Sequence, residues 1–552
     1  MRTSQSLIRN FVPAPATTLP LKHNPEPTTA EITPNDLMTR LYIFADDSMQ
    51  GREAGTIGNV KGTDYIAHEV KRLGLRPAGD SGTYFQTIPL KARFVDSTST
   101  VAAGGTPLAF GTDWATLGSV DISQSSLPVV FGGTIGENTP LIAPDQAAGK
   151  LVVLAIPRGP DGQPVWPVNR AQATARFRGA AGIAFASLDA MPAEVRQGYR
   201  ESSPELAPEQ RDMTPLPTWI YVTRDAARQL LGAPLDSAAV GRVGRTVSGS
   251  VAFRDEVAPA RNVVAILPGS DPALKGEYVA IGAHNDHIGF SHSPVDHDSL
   301  RAFNTVMRPH GADDDEVPPP SAQQLARIRA MTDSLHRLHP ARRDSIYNGA
   351  DDDGSGTVSV LEIAEALKKA DAPPKRSILF VWHTGEELGL YGSQYFTDHP
   401  TVPRDSIVAQ LNIDMIGRGD AKDIAGGGPG YVQLIGSRRL STELGDVVEA
   451  VNKRQAQPLT FDYQYDANGH PSQYYCRSDH YEYARYGIPI TFFSTGGHQD
   501  YHQVTDEPQY IDYQHMARVA TLVHDVALHL ANLDHRPVVD KPKPDPQGEC
   551  RQ

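Results

Sequence analysis

The chain has 552 residues, 39% hydrophobic and 21% charged, with a formal net charge of -14. This length allows roughly two to four domains with sizeable cores. The acidic balance argues against a nucleic-acid partner, whose binding depends on basic patches.

Two cysteines, Cys476 and Cys550, exclude a disulfide scaffold and any Cys-based zinc site. A single pairing between them stays open. No apolar run reaches membrane-spanning length. The start MRTSQSLIRNFVPAPATTLP lacks the apolar core of a signal peptide.

Residues 1–32, rich in Pro, Thr and Ala, read as a flexible leader. Residues 33–124 read as the first part of the main domain, where Thr33 or Asn35 can cap a helix. In the same stretch DYIAHEVKRLGL has helical spacing ended by glycine. Residues 125–250 change texture: SLPVVFGG, GKLVVLAIPRG, GIAFASL and LPTWIYV are short β-rich runs with short helices between them. This module has no cluster of His and acids, so scaffolding or a lid is its expected role.

Residues 251–535 are regular. ARNVVAILPG, EYVAIGAH, RSILFVWH, SIVAQLNID, YVQLIG and IPITFFSTG are apolar strands. GTVSVLEIAEALKKA, STELGDVVEAVNKR and QHMARVATLVHDVALHLANL are amphipathic helices. Apolar strands alternating with helices predict an α/β fold with a mixed, mostly parallel sheet. Residues 291–346, with a triple proline before a helix-like stretch, read as an insertion. Residues 536–552 read as a disordered tail.

Ligands gather at the carboxyl ends of strands in open α/β sheets. EYVAIGA ends at His284, RSILFVWHTG leads to Glu386 and Glu387, IVAQLNI ends at Asp414, and IPITFFSTGGHQDY runs on to His502. A fifth candidate lies in NGADDDGSG, which opens a helix. Imidazole with carboxylate suits zinc, and also cobalt or manganese. Two histidines, two terminal carboxylates and one bridging carboxylate suffice for two ions about 3.5–4 Å apart.

The pieces GAHNDHIG, NGADDDGSGT, HTGEELGLYGS, LNIDMIGR and DYHQVTDEP resemble the M28 family of co-catalytic dizinc peptidases. The 125–250 block resembles the protease-associated (PA) domain often inserted in that family. The resemblance implies the zinc-dependent exopeptidase fold, two Zn2+ per chain and an aminopeptidase acting on peptides or small proteins. His284 and Asp414 would hold one metal, Glu387 and His502 the other, and Asp352 would bridge. Glu386 would be the general base, Tyr501 would donate to the oxyanion, and Asp286 would hydrogen-bond a metal-bound histidine.

His287 reads as a loop histidine, His383 as packed, and HGADDDE at 310–316 as a decoy of the bridging loop. RSDH at 477–480 reads as a polar loop or part of a substrate pocket. Arg418 and Arg477 are the candidates for a carboxypeptidase alternative. A single-zinc cyclase-like enzyme and a dead receptor-like fold rank lower, because no ligand is missing. Family resemblance implies a periplasmic or secreted location, with a cytoplasmic one as the alternative because no signal peptide is visible.

Overall fold

The computed structural model describes residues 19–116, 122–136, 139–159, 173, 175–191, 204–206, 217–314, 317–338, 340–418 and 430–552. The chain forms two compact units, Pro89–Ala258 and the remainder on either side of it.

The larger unit is built on a nine-stranded mixed sheet. Its strands are β1 (Arg76–Pro77), β2 (Phe85–Thr87), β3 (Arg261–Leu267), β4 (Tyr278–His284), β5 (Ser377–His383), β6 (Ile407–Ile413), β7 (Tyr431–Ile435), β8 (Thr460–Asp462) and β9 (Ile490–Ser494). They lie in the order β1-β3-β5-β4-β6-β9-β7-β8, with β2 paired to β3. The centre, β5, β4, β6 and β9, is parallel. β3 and β7 flank it antiparallel. Every residue of β4, β5 and β6 is buried. Both faces are covered, which is why these strands read as continuous apolar runs.

One face packs on α1 (Pro34–Phe44), α2 (Ile57–Arg72), α3 (Gly356–Lys369), α4 (Thr442–Asn452) and α5 (Tyr513–Asn532). The opposite face carries a second cluster with Phe396, Tyr481, Tyr483 and Ala484. Each fully buried Leu, Ile or Phe contributes about 1.5–3 kcal/mol. The α1 start is capped by Thr33, whose side chain accepts from the Asp36 N–H. Arg40 on α1 is buried and pairs with Glu362 and Glu365 on α3 and with Glu69 on α2. Removing one partner of such a buried cluster costs about 3–5 kcal/mol.

The described part of the expected leader is held in place. Leu19 and Ile32 pack against the core, and Thr28 donates a 2.7 Å hydrogen bond to Glu365. Residues 1–18 lie outside the described residues. The tail is likewise tied down, contrary to its composition. Cys550 forms a disulfide with Cys476, and Gln552 accepts through Oε1 from the Tyr475 N–H at 2.9 Å. Polar composition loses to a covalent anchor here.

The smaller unit begins at Pro89 rather than at residue 125, and ends at Ala258. Leu90–Val95 pairs with Phe253–Ala258, and Thr100–Ala103 with Val247–Val251. Such distant pairings are invisible to a reading of local texture. The unit also holds a five-stranded sheet in which Val129–Thr134, Leu151–Ala155, Gly182–Ala186 and Thr218–Val222 run parallel.

Candidate metal centre

Adjacent parallel strands bring their carboxyl ends to one edge, and with them the chemistry. β4 ends at His284, β5 leads to Glu386 and Glu387, β6 to Asp414, and the segment after β9 to His502. The turn before α3 supplies Asp352. Two of these turns are sharp enough to hold residues with a Cβ in the left-handed region: Met415 (φ 58°) and His502 (φ 53°). That conformation costs about 1–2 kcal/mol per residue and persists because the surroundings enforce it.

Three buried groups pin the turns. The Asp353 carboxylate accepts from the backbone N–H of His284 (3.1 Å), Gly356 (2.9 Å) and Met415 (3.2 Å), joining β4, α3 and the turn after β6. Asp506 accepts from the N–H of Asp351 and Asp352. Arg52 donates to the carbonyls of Phe44, Asn285, Asn348 and Gly349. Gly349 needs its φ of +53°, and a Cβ there would meet the Asp352 carbonyl at 2.3 Å.

The Asp352 carboxylate is divided between two groups of donors. Oδ1 lies 3.1 Å from His284 Nε2, which is also 3.8 Å from Asp414 Oδ1. Oδ2 lies 3.0 Å from His502 Nε2, which is 2.9 Å from Glu387 Oε2. The ligand atoms of His284, Asp352 and Asp414 all lie within 4.8 Å of one another, as do those of His287, Asp352, Glu387 and His502. All five expected metal ligands are therefore brought together. Ser478 Oγ donates to Asp414 Oδ2.

Glu386 Oε2 stands 4.0 Å from His284 Nε2. Burial raises the Glu386 carboxyl well above the ordinary carboxylate range; His284 opposes this, while Glu387 and Asp414 reinforce it. Burial also disfavours charge on His502, yet Glu387 and Asp352 push its pKa up to about 11. Burial likewise works against ionised Asp352, but hydrogen bonding with His284 and His502 holds it well below the usual range. Tyr501 stacks on His502 at 4.0 Å between ring centroids, and its hydroxyl accepts from Arg477 at 3.2 Å.

Two expectations need correction. His287 is not a bystander: its Nδ1 is 2.7 Å from Glu387 Oε1. A second imidazole three residues after His284, inside the same turn, was the available signal. The Asp286 carboxylate lies 3.6 Å from His284 Nδ1, beyond hydrogen-bond length. The Asp286 carbonyl, at 3.2 Å, is the nearer acceptor, and its carboxylate Oδ1 accepts instead from the Glu386 N–H. Asp351 pairs with His498 outside both groups. His383 is packed between Tyr483 and Asp479.

The site opens into a cleft of about 300 Å³ whose walls include Glu386, Glu387, Tyr474, Arg477, Phe492 and Tyr501. Asp313, within the supposed decoy loop, also lines it and pairs with Arg477 at 3.1 Å. Residues 315–316 of that loop lie outside the described residues. Gly311 (φ +61°) permits this approach, since a Cβ there would meet the Tyr501 carbonyl at 2.5 Å.

The profile of Peptidase family M28 matches residues 262–527. Leucine aminopeptidase 1 of Coccidioides posadasii is 31% identical over 215 residues, covering 37% of this chain and 52% of that protein. Leucine aminopeptidase 1 of Aspergillus fumigatus is 30% identical over 227 residues, covering 38% and 55%. The chain thus spans about half the length of these curated relatives. Among solved structures, a zinc aminopeptidase from Bacillus subtilis aligns at 14% identity with a TM-score of 0.49, covering 94% of this chain and 100% of that one. The match to Peptidase family M28 contains every strand end that carries a candidate ligand.

Proposed function

We propose that this protein is a metal-dependent aminopeptidase whose centre is two zinc ions held by His284, Asp352, Glu387, Asp414 and His502. The observation that carries this reading is the Asp352 carboxylate, which offers one oxygen to each of two donor groups. Imidazole and carboxylate donors suit zinc. His284 Nε2 is buried and faces carboxylate oxygens of Asp352 and Asp414 at 3.1 and 3.8 Å, a mixed imidazole and carboxylate donor set of the kind zinc takes. The family match and the names of the curated relatives support the activity.

Zinc bound there would lower the pKa of water and polarise the scissile carbonyl. Glu386 accepts the proton of the attacking water and returns it to the leaving amine. Tyr501 donates its hydroxyl hydrogen to the developing oxyanion, and Ser478 orients Asp414.

The cleft favours a free N-terminal ammonium, because Asp313, Asp352, Glu386, Glu387 and Asp414 all line it. A carboxypeptidase needs a cation free to meet a terminal carboxylate. Arg477 is already paired with Asp313, and Arg418 is buried against Asp500 at 2.9 Å. We also read Pro89–Ala258 as a PA-like inserted module. The disulfide favours an oxidising, exported setting. Among the described residues, no helix is long and apolar enough to cross a membrane.

The test is a panel of aminoacyl and peptide substrates with free and N-acetylated termini, assayed with and without chelator. Cleavage confined to free termini and abolished by chelation is expected. Equal cleavage of acetylated substrates would overturn the aminopeptidase reading.

A further inference from the structure

His287 is absent from the five-residue donor set, yet its side chain is fully buried against that set. Nδ1 stands 2.7 Å from Glu387 Oε1 and 3.8 Å from Asp352 Oδ2. Two donors on one tetrahedral ion, with bonds of about 2.1 Å, stand about 3.4 Å apart. The distances from His287 bracket that spacing, as do those from His284 to Asp352 and Asp414, 3.1 and 3.8 Å. The ring is also confined. Its backbone N–H donates to the Arg52 carbonyl at 3.2 Å, and a Cβ on Gly349 would come within 2.6 Å of ring atoms Cγ and Cδ2.

We propose, resting on the metal-centre reading above, that His287 Nδ1 is a fourth protein donor to the ion held by Asp352, Glu387 and His502. The two positions are then unequal. Four protein donors close a zinc site, whereas three leave a position for water or substrate. The open position falls on the side of His284, Asp352 and Asp414, which is also the side of Glu386. The competing arrangement is a His287 that only hydrogen-bonds Glu387 and positions it.

The test is X-ray absorption at the zinc edge on metal-free full-length protein given one equivalent of zinc, with calorimetric titration alongside. The four-donor position fills first, so two imidazoles per zinc are expected, from His287 and His502. His287→Ala should drop this to one and weaken the tighter site by more than about 100-fold, beyond the range for outer-shell groups. His287→Gln, which can still donate to Glu387, should not restore it. One imidazole per zinc in the wild-type protein, or wild-type affinity in His287→Gln, would overturn the proposal while leaving the metal centre standing. Failure to bind zinc at all would remove the metal-centre reading itself.

Discussion

Ser478 Oγ donates a 2.7 Å hydrogen bond to Asp414 Oδ2, and both side chains are buried. Ser478 comes from a segment far from Asp414 in sequence and leaves Oδ1 of the carboxylate facing His284. Ser478→Ala removes the only group seen to orient Asp414 through Oδ2 among the described residues. Zinc affinity should fall by about 10–100-fold. Competition with a chromogenic chelator measures this, and unchanged affinity would mean that Asp414 needs no such support.

Glu386 sits beside His284 yet belongs to neither donor group. Glu386→Gln should therefore retain metal while losing a factor of at least about 100 in kcat, the range for a general base. Metal analysis and steady-state kinetics on one preparation separate the two effects. Near-wild-type turnover would remove Glu386 from the reaction.

Chelation should destabilise the larger unit. A ligand at 1,000 times its Kd stabilises by about 4 kcal/mol, and without cations the buried carboxylates of Asp352, Glu386, Glu387 and Asp414 repel one another. Thermal melts with chelator, and again after zinc is restored, should show a lower and then a recovered Tm. Identical melts would argue against a cation in this cluster.

The Cys476–Cys550 disulfide closes a sequence separation of 74 residues. Loop entropy alone assigns such a link about 4 kcal/mol. Cys550→Ser should lower the denaturant midpoint and release the tail, and protease sensitivity near residue 550 reads the second effect. Arg477 and Ser478 follow Cys476 directly, so KM should rise as well. Equal midpoints with and without the link would show that the tail is held by packing alone.

His480 is buried, stacks on Phe492 at 4.6 Å, and has its pKa pushed down to about 3 by burial. A depressed pKa means that the folded protein refuses a proton the unfolded chain accepts. The stabilisation is complete above about pH 6.5 and is lost as pH falls from there toward 3, by about 1.4 kcal/mol per pH unit. His480→Gln should therefore show a shallower loss of stability between pH 7 and 4 in urea titrations. Parallel curves for the two proteins would exclude this group from the acid response.

The central strands and the five candidate metal ligands were legible from the sequence. Strands buried on both faces must be continuously apolar, so β4, β5 and β6 announce themselves. A polar residue at the end of such a run or just beyond it stands out against it, as His284, Glu387 and Asp414 do. Local chemistry also offered Thr33 or Asn35 as a helix cap, and the structure selects Thr33.

Tertiary structure decided the rest, because it lies in contacts between segments far apart in the chain. The spatial order β5-β4-β6-β9 is not the chain order, and together with the turn before α3 it puts His284 within 3.1 Å of Asp352 and 3.8 Å of Asp414. His287 looked like an ordinary loop residue until Glu387, from another strand, came within 2.7 Å of it. Asp313 reached the cleft because Gly311 lets its loop rest on Tyr501, and the polar tail was ordered by a thiol partner far upstream. Periodicity and strand-end chemistry are local properties that a chain carries in its own order, whereas side-chain proximity across strands exists only once the sheet has formed.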